Sequence, residues 1–207
     1  IELRIIAALS KDANMIEAFK NGYDIHAATA AKVFGVDKIE NVTREQRSSA
    51  KAVNFGIIYG QSAFGLSQNL GISRKEAKAL IDSYWEQYPN IKQFMTDSVE
   101  FAREHGYVET IMKRRRYLKD IQSGNAIVRG FAERNAVNAP IQGSAADVIK
   151  LAMIKIHEDM QKQKVQSKML LQVHDELVFD VLESEKEIME KLVKEGMESA
   201  VSIAVPL

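Results

Sequence analysis

The sequence has no cysteine, no excess charge of either sign and no long apolar run. Without cysteine, the chain can form neither a disulfide framework nor a cysteine-based zinc site. Lysine plus arginine equal aspartate plus glutamate at 28 each, so any basic surface that binds a polyanion must be local. No segment approaches the ~18 apolar residues of a membrane span, and no signal peptide is visible.

What is present is a composition typical of a globular protein. With 207 residues, 46% of them hydrophobic, the chain can bury a real core and is long enough for one large domain or two small ones. It begins at Ile1 inside a patterned segment, without a methionine, and it stops at Leu207 directly after another such segment. We therefore expect it to be a piece of a longer protein.

The stretch from Thr43 to Gly60 predicts one helix with a charged half and an aromatic half. Thr43 followed by Gln46 is the spacing of a capping box, in which the two side chains bond free backbone N–H groups of the first turn. Gly60 ends the patterned run. The boundaries of this helix are therefore predicted at both ends.

Four side chains recur every four residues along this helix: Arg47, Lys51, Phe55 and Tyr59. Each step drifts by roughly 40°, so the four share one broad face. The cations lie towards the N-terminal end, where the helix dipole also favours anions, and the rings lie where a flat group could stack. This arrangement suits a nucleotide, but a solvated charged face joined to a buried aromatic one fits the same pattern.

Residues 168–182 break the helical rhythm and predict a β-hairpin. Its tip is His174-Asp175-Glu176, which lies between two apolar strands. Neighbouring carboxylates in that setting are costly unless they are paired or bound to a metal. Aspartate in a turn also serves local hydrogen bonding alone, so the pattern leaves a metal site and an ordinary turn open.

Much of the remaining chain predicts helices. Residues 1–20 have near-helical apolar spacing, and residues 24–35 form a short helix with Asp24 as its cap. His26 on that helix is, by pattern alone, more often structural than functional. Residues 91–105 form another amphipathic helix.

Residues 61–90 predict a helix, a turn at Gly71 and a second helix, capped by Ser73 with Glu76 and broken by Pro89. This is also the rough shape of a helix-turn-helix DNA-binding unit. The second helix mixes lysine with glutamate and lacks a strongly basic face. A structural helical hairpin is therefore favoured over a sequence-reading one.

The most basic stretch, residues 113–117, follows a short predicted strand at residues 107–110. It contains Arg114 and Arg115, with Tyr117 beside them. A charge run of this kind is usually a solvated loop. A cationic loop with an aromatic neighbour also suits a nucleic-acid backbone, because phosphate neutralisation releases counterions.

Residues 126–139 predict a helix that ends at Pro140, and residues 144–163 predict a second, longer helix. Three polar side chains recur four apart across the proline: Arg134, Asn138 and Gln142. By pattern alone they form an exposed polar stripe. The tail, residues 184–203, predicts an amphipathic helix.

Four segments, in order along the whole chain, resemble motifs of the family A DNA polymerases, the bacterial DNA polymerase I family. They are IELRIIAALS at residues 1–10, Arg-xxx-Lys-xxx-Phe-xxx-Tyr-Gly from Arg47 to Gly60 with Asn54 and Gly56 around the phenylalanine, ERNAVNAPIQGSAADVIK at residues 133–150, and Val-His-Asp-Glu at residues 173–176. The second pattern specifies many positions and is highly specific. The basic stretch departs from the family at Lys113, where glycine is frequent, and at Lys119, where proline is frequent.

The resemblance implies an α+β fold, predominantly α-helical, with helical fingers and part of a palm that contains a small antiparallel β-hairpin or sheet. Residues 1–11 and 134–207 would be palm, and residues 12–133 would be fingers. The implied reaction is DNA-templated DNA synthesis in replication and repair, by nucleotidyl transfer from a deoxynucleoside triphosphate to a primer 3′-hydroxyl with two Mg²⁺ ions. The implied partners are primer-template DNA and the triphosphate, without a membrane, for a monomer in the bacterial cytoplasm at the nucleoid.

The resemblance also implies roles for single residues. Nucleotide binding would fall to Arg47, Lys51, Phe55, Tyr59, His26 and Glu2, with Glu2 beside the sugar, where it disfavours a 2′-hydroxyl. DNA contacts would fall to Arg134, Asn138, Gln142, His174, Arg114 and Arg115. Catalytic roles would fall to Asp175, Glu176 and Lys51, with Asp175 as the metal ligand. The family's other metal-binding aspartate would lie just before Ile1, so we expect the 207-residue chain alone not to polymerise.

Two other classes of function stay open. A non-catalytic DNA-binding module could be built on the helical hairpin of residues 61–85. A metal-dependent hydrolase could be centred on residues 174–176. The hydrolase would need further ligands, and the remaining histidines show no metal-type spacing with this centre. They are His26, His105 and His157.

Overall fold

The computed structural model describes residues 1–207 and confirms an α+β fold that is mostly helical. Nine α-helices are present: α1 (Glu2–Ser10), α2 (Ala13–Lys20), α3 (Ile25–Phe34), α4 (Arg44–Ile58), α5 (Ala63–Leu70), α6 (Arg74–Gln87), α7 (Pro89–His105), α8 (Ala126–Gln163) and α9 (Lys186–Glu198). Four strands form two antiparallel hairpins, β1 (Tyr107–Glu109) with β2 (Arg115–Tyr117), and β3 (Lys168–Val173) with β4 (Glu176–Asp180). None of the helices combines the length and the apolar character needed to cross a membrane.

Two helices begin at the capping boxes that the sequence predicts. At the start of α4, Gln46 N donates to Thr43 Oγ1 at 3.2 Å, and Thr43 N donates to Gln46 Oε1 at 2.9 Å. Ser73 and Glu76 form the same reciprocal pair at the start of α6. Each pair satisfies backbone N–H groups that have no partner inside the helix.

The main hydrophobic core surrounds α1, whose Ile5, Ile6 and Ala7 are at most 1% exposed. Side chains from α4, α7 and α8 pack against it: Val53, Ile57, Ile58, Ile91, Val137 and Ile141. A second core lies under the β1–β2 hairpin and joins α7 to α8: Ala102, Val108, Leu118, Ile121, Ala132 and Ala136. A third core joins α8 to α9 beside the β3–β4 hairpin: Ile156, Met160, Met189 and Leu192.

The predicted helix end at Pro140 is wrong, because α8 continues through this residue without a break. Proline removes one helical hydrogen bond and crowds the preceding turn, at a cost of about 3 kcal/mol inside a helix. Val137 and Ile141, on either side of it, are buried in the main core, and Pro140 is itself buried. Packing on both flanks therefore outweighs the local cost.

Two other helical segments differ from their predicted form. Residues 1–20 hold two helices, because Lys11 adopts the left-handed conformation with φ 53° and the buried Asp12 caps α2. The helix predicted over residues 184–203 is shorter and ends at Glu198. In both places a local turn interrupts a periodic apolar pattern that continues past it.

The basic stretch, predicted as a loop, is partly a strand. β2 pairs with β1 so that Arg115 lies opposite Glu109, and Arg115 Nε lies 3.1 Å from Glu109 Oε1. The same guanidinium lies 4.4 Å from the ring centroid of Tyr107. Lys113 has φ 63° in the connecting turn, a conformation that glycine adopts at less cost.

The turn between β1 and β2 is attached to α8 by polar contacts. Ile111 N donates to Ser144 Oγ at 2.9 Å. Arg114 Nη2 lies 2.5 Å from Asp147 Oδ1, and the Asp147 side chain is only 6% exposed. Because Asp147 is a buried residue of α8, it holds the guanidinium of Arg114 at a defined place on that helix.

Gly143 and Gly130 lie in the same helix and should respond oppositely to alanine. A Cβ at Gly143 would meet Thr110 Cγ2 at 2.6 Å, so we expect Gly143→Ala to destabilise the fold by about 1–3 kcal/mol. At Gly130 the nearest atom would be Arg134 Nη1 at 3.7 Å, so Gly130→Ala should stabilise it by about 0.5–1 kcal/mol. Urea titration measures both free energies of unfolding.

A double variant separates this contact from a general effect of alanine at Gly143. Thr110→Ser removes the methyl group that the new Cβ would meet, while it keeps the hydroxyl that accepts from Met112 N and Arg114 N. Gly143→Ala combined with Thr110→Ser should regain most of the lost stability. A double variant as unstable as Gly143→Ala alone would contradict the proposed packing.

Candidate functional site

A cleft of about 750 Å³ opens between α1, α3, α4, α8 and the tip of the β3–β4 hairpin. Many of the predicted site residues line it: Glu2, His26, Arg47, Lys51, Phe55, Gln142, His174 and Asp175. These residues are far apart in the sequence. They meet because α1, α4 and α8 pack together in the main core.

Three predicted residues lie beside the cleft. Tyr59 is connected to it through a hydrogen bond to Glu2, and Tyr59 and Arg134 together line a neighbouring pocket of about 450 Å³. Asn138 is half-buried on α8, and its Oδ1 is buried without a hydrogen-bond partner. The polar stripe of α8 therefore begins in the neighbouring pocket and reaches the cleft at Gln142.

The other three predicted residues do not line the cleft. Arg114 and Arg115 lie on the β1–β2 hairpin, where Asp147 and Glu109 hold their guanidinium groups. Glu176 is the first residue of β4 and is exposed. The structure therefore separates the basic hairpin from the pocket that contains Arg47 and Lys51.

Two charged residues line the cleft although the sequence assigned them no role there, namely Arg4 and Asp24. Arg4 lies with its guanidinium 4.8 Å from the ring centroid of Phe19. Asp24 was predicted only as a helix cap. The sequence places Arg4 two residues from Glu2 and Asp24 two residues from His26, which was the only signal that they share the site. Residues two apart on a helix do not share a face, so the pattern did not predict their positions in the cleft.

Asp24 joins α3 to the cationic end of α4. Its Oδ1 accepts from Ala27 N at 3.1 Å, which caps α3, and its Oδ2 accepts from Arg47 Nε at 2.6 Å. Partial burial opposes the charged form, but the bonds from Arg47 and Ala27 outweigh it and lower the pKa of Asp24. Asp24 is therefore a fixed anion that orients the Arg47 guanidinium.

His26 lines the cleft from the first turn of α3, and its Nδ1 lies 3.0 Å from Asn54 Nδ2 of α4. Its ring centroid is 6.0 Å from that of Phe55. Burial, followed by the positive charge of Arg47, lowers the pKa of His26 to about 4. The imidazole is therefore neutral at pH 7.

The aromatic end of the α4 face is joined to α1. The rings of Phe55 and Tyr59 are stacked, with centroids 5.9 Å apart and planes inclined by 26°. Tyr59 Oη donates to Glu2 Oε2 at 2.5 Å. Burial, reinforced by this bond, raises the pKa of Tyr59 above its usual value, so the phenol stays protonated and keeps one carboxylate oxygen of Glu2 engaged.

The acidic end of the cleft is the tip of the β3–β4 hairpin. The predicted hairpin is confirmed, with the turn at His174, whose φ is 55°, and Asp175. Asp175 is 60% exposed, and its Oδ2 lies 3.9 Å from the amino group of Ile1 at the start of α1. It is therefore an available carboxylate at the mouth of the cleft.

Asp175 suits a magnesium ion as one ligand of an incomplete set. Mg²⁺ prefers carboxylate oxygens and is commonly held by one or two of them together with substrate phosphates and water. The chain assembles no group of three or more histidine, cysteine or acidic side chains that could hold a metal. The further ligands that a metal-dependent hydrolase would need are therefore not gathered at residues 174–176.

The lowered pKa of His26 should make part of the folding stability depend on pH. The unfolded histidine titrates at 6.5 and the folded one at about 4, so the unfolded state binds more protons between these values. Stability should therefore fall as the pH drops from 6.5 towards 4. His26→Gln should remove this part of the dependence, measured as free energies of unfolding in urea at pH 7 and pH 4.5.

His157 offers a matched control, because it is exposed on α8 and lies outside the cleft. His157→Gln should keep the pH dependence of the original sequence. If His26→Gln loses as much stability on acidification as the original sequence does, His26 is not the group responsible.

Comparisons with known proteins agree along the whole chain. Residues 1–207 match the model of DNA polymerase family A. The chain is 58% identical to DNA polymerase I of Streptococcus pneumoniae (strain ATCC BAA-255 / R6) and 56% identical to that of Bacillus subtilis (strain 168), over 207 residues in each case. It spans about a quarter of the length of these relatives, 24% and 23%.

A solved structure gives the same result for the fold. The chain is similar to the POL domain of Pol1 from M. smegmatis in complex with DNA primer-template and dNTP, with a TM-score of 0.93 and 47% sequence identity. The match covers 100% of this chain and 36% of that one. Since the family match extends from the first residue to the last, the chain belongs to DNA polymerase family A.

Proposed function

We propose that this chain forms the nucleotide-binding part of a DNA-directed DNA polymerase, which transfers deoxynucleotides to a primer 3′-hydroxyl in DNA replication and repair. The observation that carries the proposal is the shared cleft, which joins Arg47, Lys51 and His26 to the carboxylate of Asp175. Cations and hydrogen-bond donors suit the phosphates of a triphosphate. A nearby carboxylate suits the metal that such chemistry uses.

In this proposal residues 1–11 and 134–207 are palm, and residues 12–133 are fingers. α8 crosses the boundary at residue 134 as one continuous helix. The fingers would therefore be joined to the palm by a rigid element rather than by a flexible linker. The family membership and the likeness to the POL domain support the polymerase proposal to which this division belongs.

The nucleotide would lie along the exposed face of α4. Arg47 and Lys51 supply charge for the phosphates, and His26 supplies a neutral hydrogen-bond donor. Phe55 and Tyr59 would frame the base and the sugar. Glu2, which is held by Tyr59, would lie beside the sugar, where its carboxylate disfavours a 2′-hydroxyl.

Asp175 would hold Mg²⁺ together with oxygens of the triphosphate, with Glu176 beside it at the start of β4. When bound, a pair of such ions activates the attacking oxygen and stabilises the leaving one. Lys51 would neutralise phosphate charge on the opposite side of the reacting group. The chain's own contribution is to place these charges on packed helices and on a short hairpin.

Primer-template DNA would lie across α8. Arg134, Asn138 and Gln142 would donate to minor-groove acceptors, which are nearly the same for every base pair, so they sense pairing without reading sequence. His174 would contact the same duplex end, and Arg114 and Arg115 would contact the backbone. We place the whole protein in the bacterial cytoplasm at the nucleoid, as a monomer.

Lys51→Ala in the full-length protein tests the proposal. A charge-assisted hydrogen bond to phosphate contributes about 1.5–3 kcal/mol, so its loss should lower kcat/KM for the deoxynucleoside triphosphate by roughly 10–100-fold. Primer extension at varied triphosphate concentration measures this. Binding of primer-template in the absence of nucleotide should change little, because Lys51 lies in the nucleotide cleft.

Lys78→Ala is a matched control, because Lys78 is 69% exposed on α6 and pairs only with Asp82. It should leave kcat/KM unchanged. Equal kinetics for Lys51→Ala and the original sequence would mean that the α4 face is merely solvated. Tight, sequence-preferring duplex binding that is indifferent to nucleotides would instead favour the helix-turn-helix alternative built on α5 and α6.

A further inference from the structure

Asn54 is a fully buried polar residue in the middle of α4, with 0% of its surface exposed. It lies on the side of α4 that faces α3, and no part of the proposed reaction uses it directly. A buried amide without partners costs about 1–3 kcal/mol. We therefore expect Asn54 to make hydrogen bonds that an apolar side chain could not make.

Both polar atoms of the Asn54 side chain are paired with α3. Its Nδ2 lies 3.0 Å from His26 Nδ1, and its Oδ1 lies 2.9 Å from Thr29 Oγ1. The Thr29 hydroxyl is also 2.9 Å from the carbonyl oxygen of Ile25. The amide thus connects the histidine of the cleft to a hydroxyl one turn further along α3.

An amide NH₂ group can only donate, so the His26 nitrogen that faces it must accept. In a neutral imidazole, one nitrogen accepts and the other carries the proton. With Nδ1 occupied by Asn54, the proton lies on Nε2, the ring nitrogen left for the cleft. We infer that Asn54 is a positioning residue that fixes His26 as the Nε2–H tautomer, aimed as a hydrogen-bond donor at a phosphate oxygen.

The identity of the ligand rests on the proposed function, whereas the tautomer does not. The charged groups around His26 are Asp24, Arg47, Lys51 and the amino group of Ile1. Burial and Arg47 keep the pKa of His26 at about 4 against the opposing effect of Asp24, so a neutral tautomer is the relevant form at pH 7. A neutral ring must be oriented to donate, because it has only one N–H.

The opposite amide orientation makes a different prediction. With Asn54 Oδ1 towards His26, Nδ1 would carry the proton and Nε2 would present a lone pair to the cleft. A lone pair repels phosphate oxygens, so this arrangement would turn His26 from a ligand into an obstacle. Thr29 has one hydroxyl proton, and the first orientation is the one in which it goes to Asn54 Oδ1 rather than to the Ile25 carbonyl at the same 2.9 Å distance.

Nitrogen NMR of the chain labelled with ¹⁵N-histidine tests the tautomer without any ligand. At pH 7, His26 should show a pyrrole-type Nε2 and a pyridine-type Nδ1, with the assignment made by loss of the signal in His26→Gln. Thr29→Val keeps the shape of the side chain but removes the hydroxyl that orients the amide. In that variant, the His26 signals should shift towards a tautomer average, whereas a pyrrole-type Nδ1 in the original sequence would overturn the inference.

A kinetic test uses Asn54→Asp, which replaces the donor with an acceptor of the same shape. The carboxylate should hold a proton on Nδ1 and make the ring titrate near neutral pH. At pH 9 the Nε2 atom would then present a lone pair, whereas at pH 6 the protonated ring would donate from it. The KM of the full-length protein for a deoxynucleoside triphosphate should therefore be roughly tenfold higher at pH 9 than at pH 6, beyond the change in the original sequence. Combining it with His26→Gln should abolish the extra dependence, and an unaltered pH profile in Asn54→Asp would contradict the inference.

The two proposals fail separately. If Asn54→Asp does not fold, the NMR test on the original sequence still decides the tautomer. If Lys51→Ala leaves polymerisation unchanged, the assignment of the α4 face to the nucleotide fails and the tautomer of His26 stands. If the NMR test shows the other tautomer while Lys51→Ala is severely impaired, the polymerase proposal stands and only the role of Asn54 is withdrawn.

Discussion

The unbroken course of α8 through Pro140 is the constraint on which the rest of the structure depends. Side chains of this helix contribute to all three hydrophobic cores. A proline inside a helix costs about 3 kcal/mol, whereas one fully buried aliphatic side chain contributes about 1.5–3 kcal/mol. Val137 and Ile141 alone therefore offset the proline, and a break at this point would separate the cores from one another.

The course of α8 also places the polar groups that surround the cleft. Gln142 lines the cleft itself, while Ser144 and Asp147 hold the turn of the basic hairpin. Further along, Ile156 and Met160 support α9 and the hairpin that carries Asp175. One helix thus determines the relative positions of the basic and acidic parts of the surface.

Three directional contacts fix α4 and the cleft side chains of its neighbours relative to one another. Asp24 holds Arg47, Asn54 holds His26, and Tyr59 holds Glu2. Apolar packing alone would allow helices to slide by small amounts, but each of these bonds requires particular atoms to meet. Polar pairs of this kind specify geometry at little net gain in stability.

Local signals in the sequence predicted what depends on local chemistry. The capping boxes at Thr43 and Ser73 involve groups three residues apart, so the pattern and the structure agree. The course of α8 through Pro140 depends on burial by distant segments, which no local pattern contains. The α4 stripe and the hairpin tip were predictable as elements, but the contact between Arg47 and Asp24 required the packing of α3 on α4.

The charges of the cleft bear on whether a triphosphate could enter it with or without bound cations. Its lining side chains carry three cations and three carboxylates: Arg4, Arg47, Lys51, Glu2, Asp24 and Asp175. His26 adds no charge at pH 7, because its pKa is about 4. A bare triphosphate would therefore bring several negative charges into a cleft with no net positive charge, and Asp24 would compete with it for Arg47. In the proposed function, divalent cations that enter with the phosphates correct this balance, and Asp175 is the carboxylate that their charge would draw in.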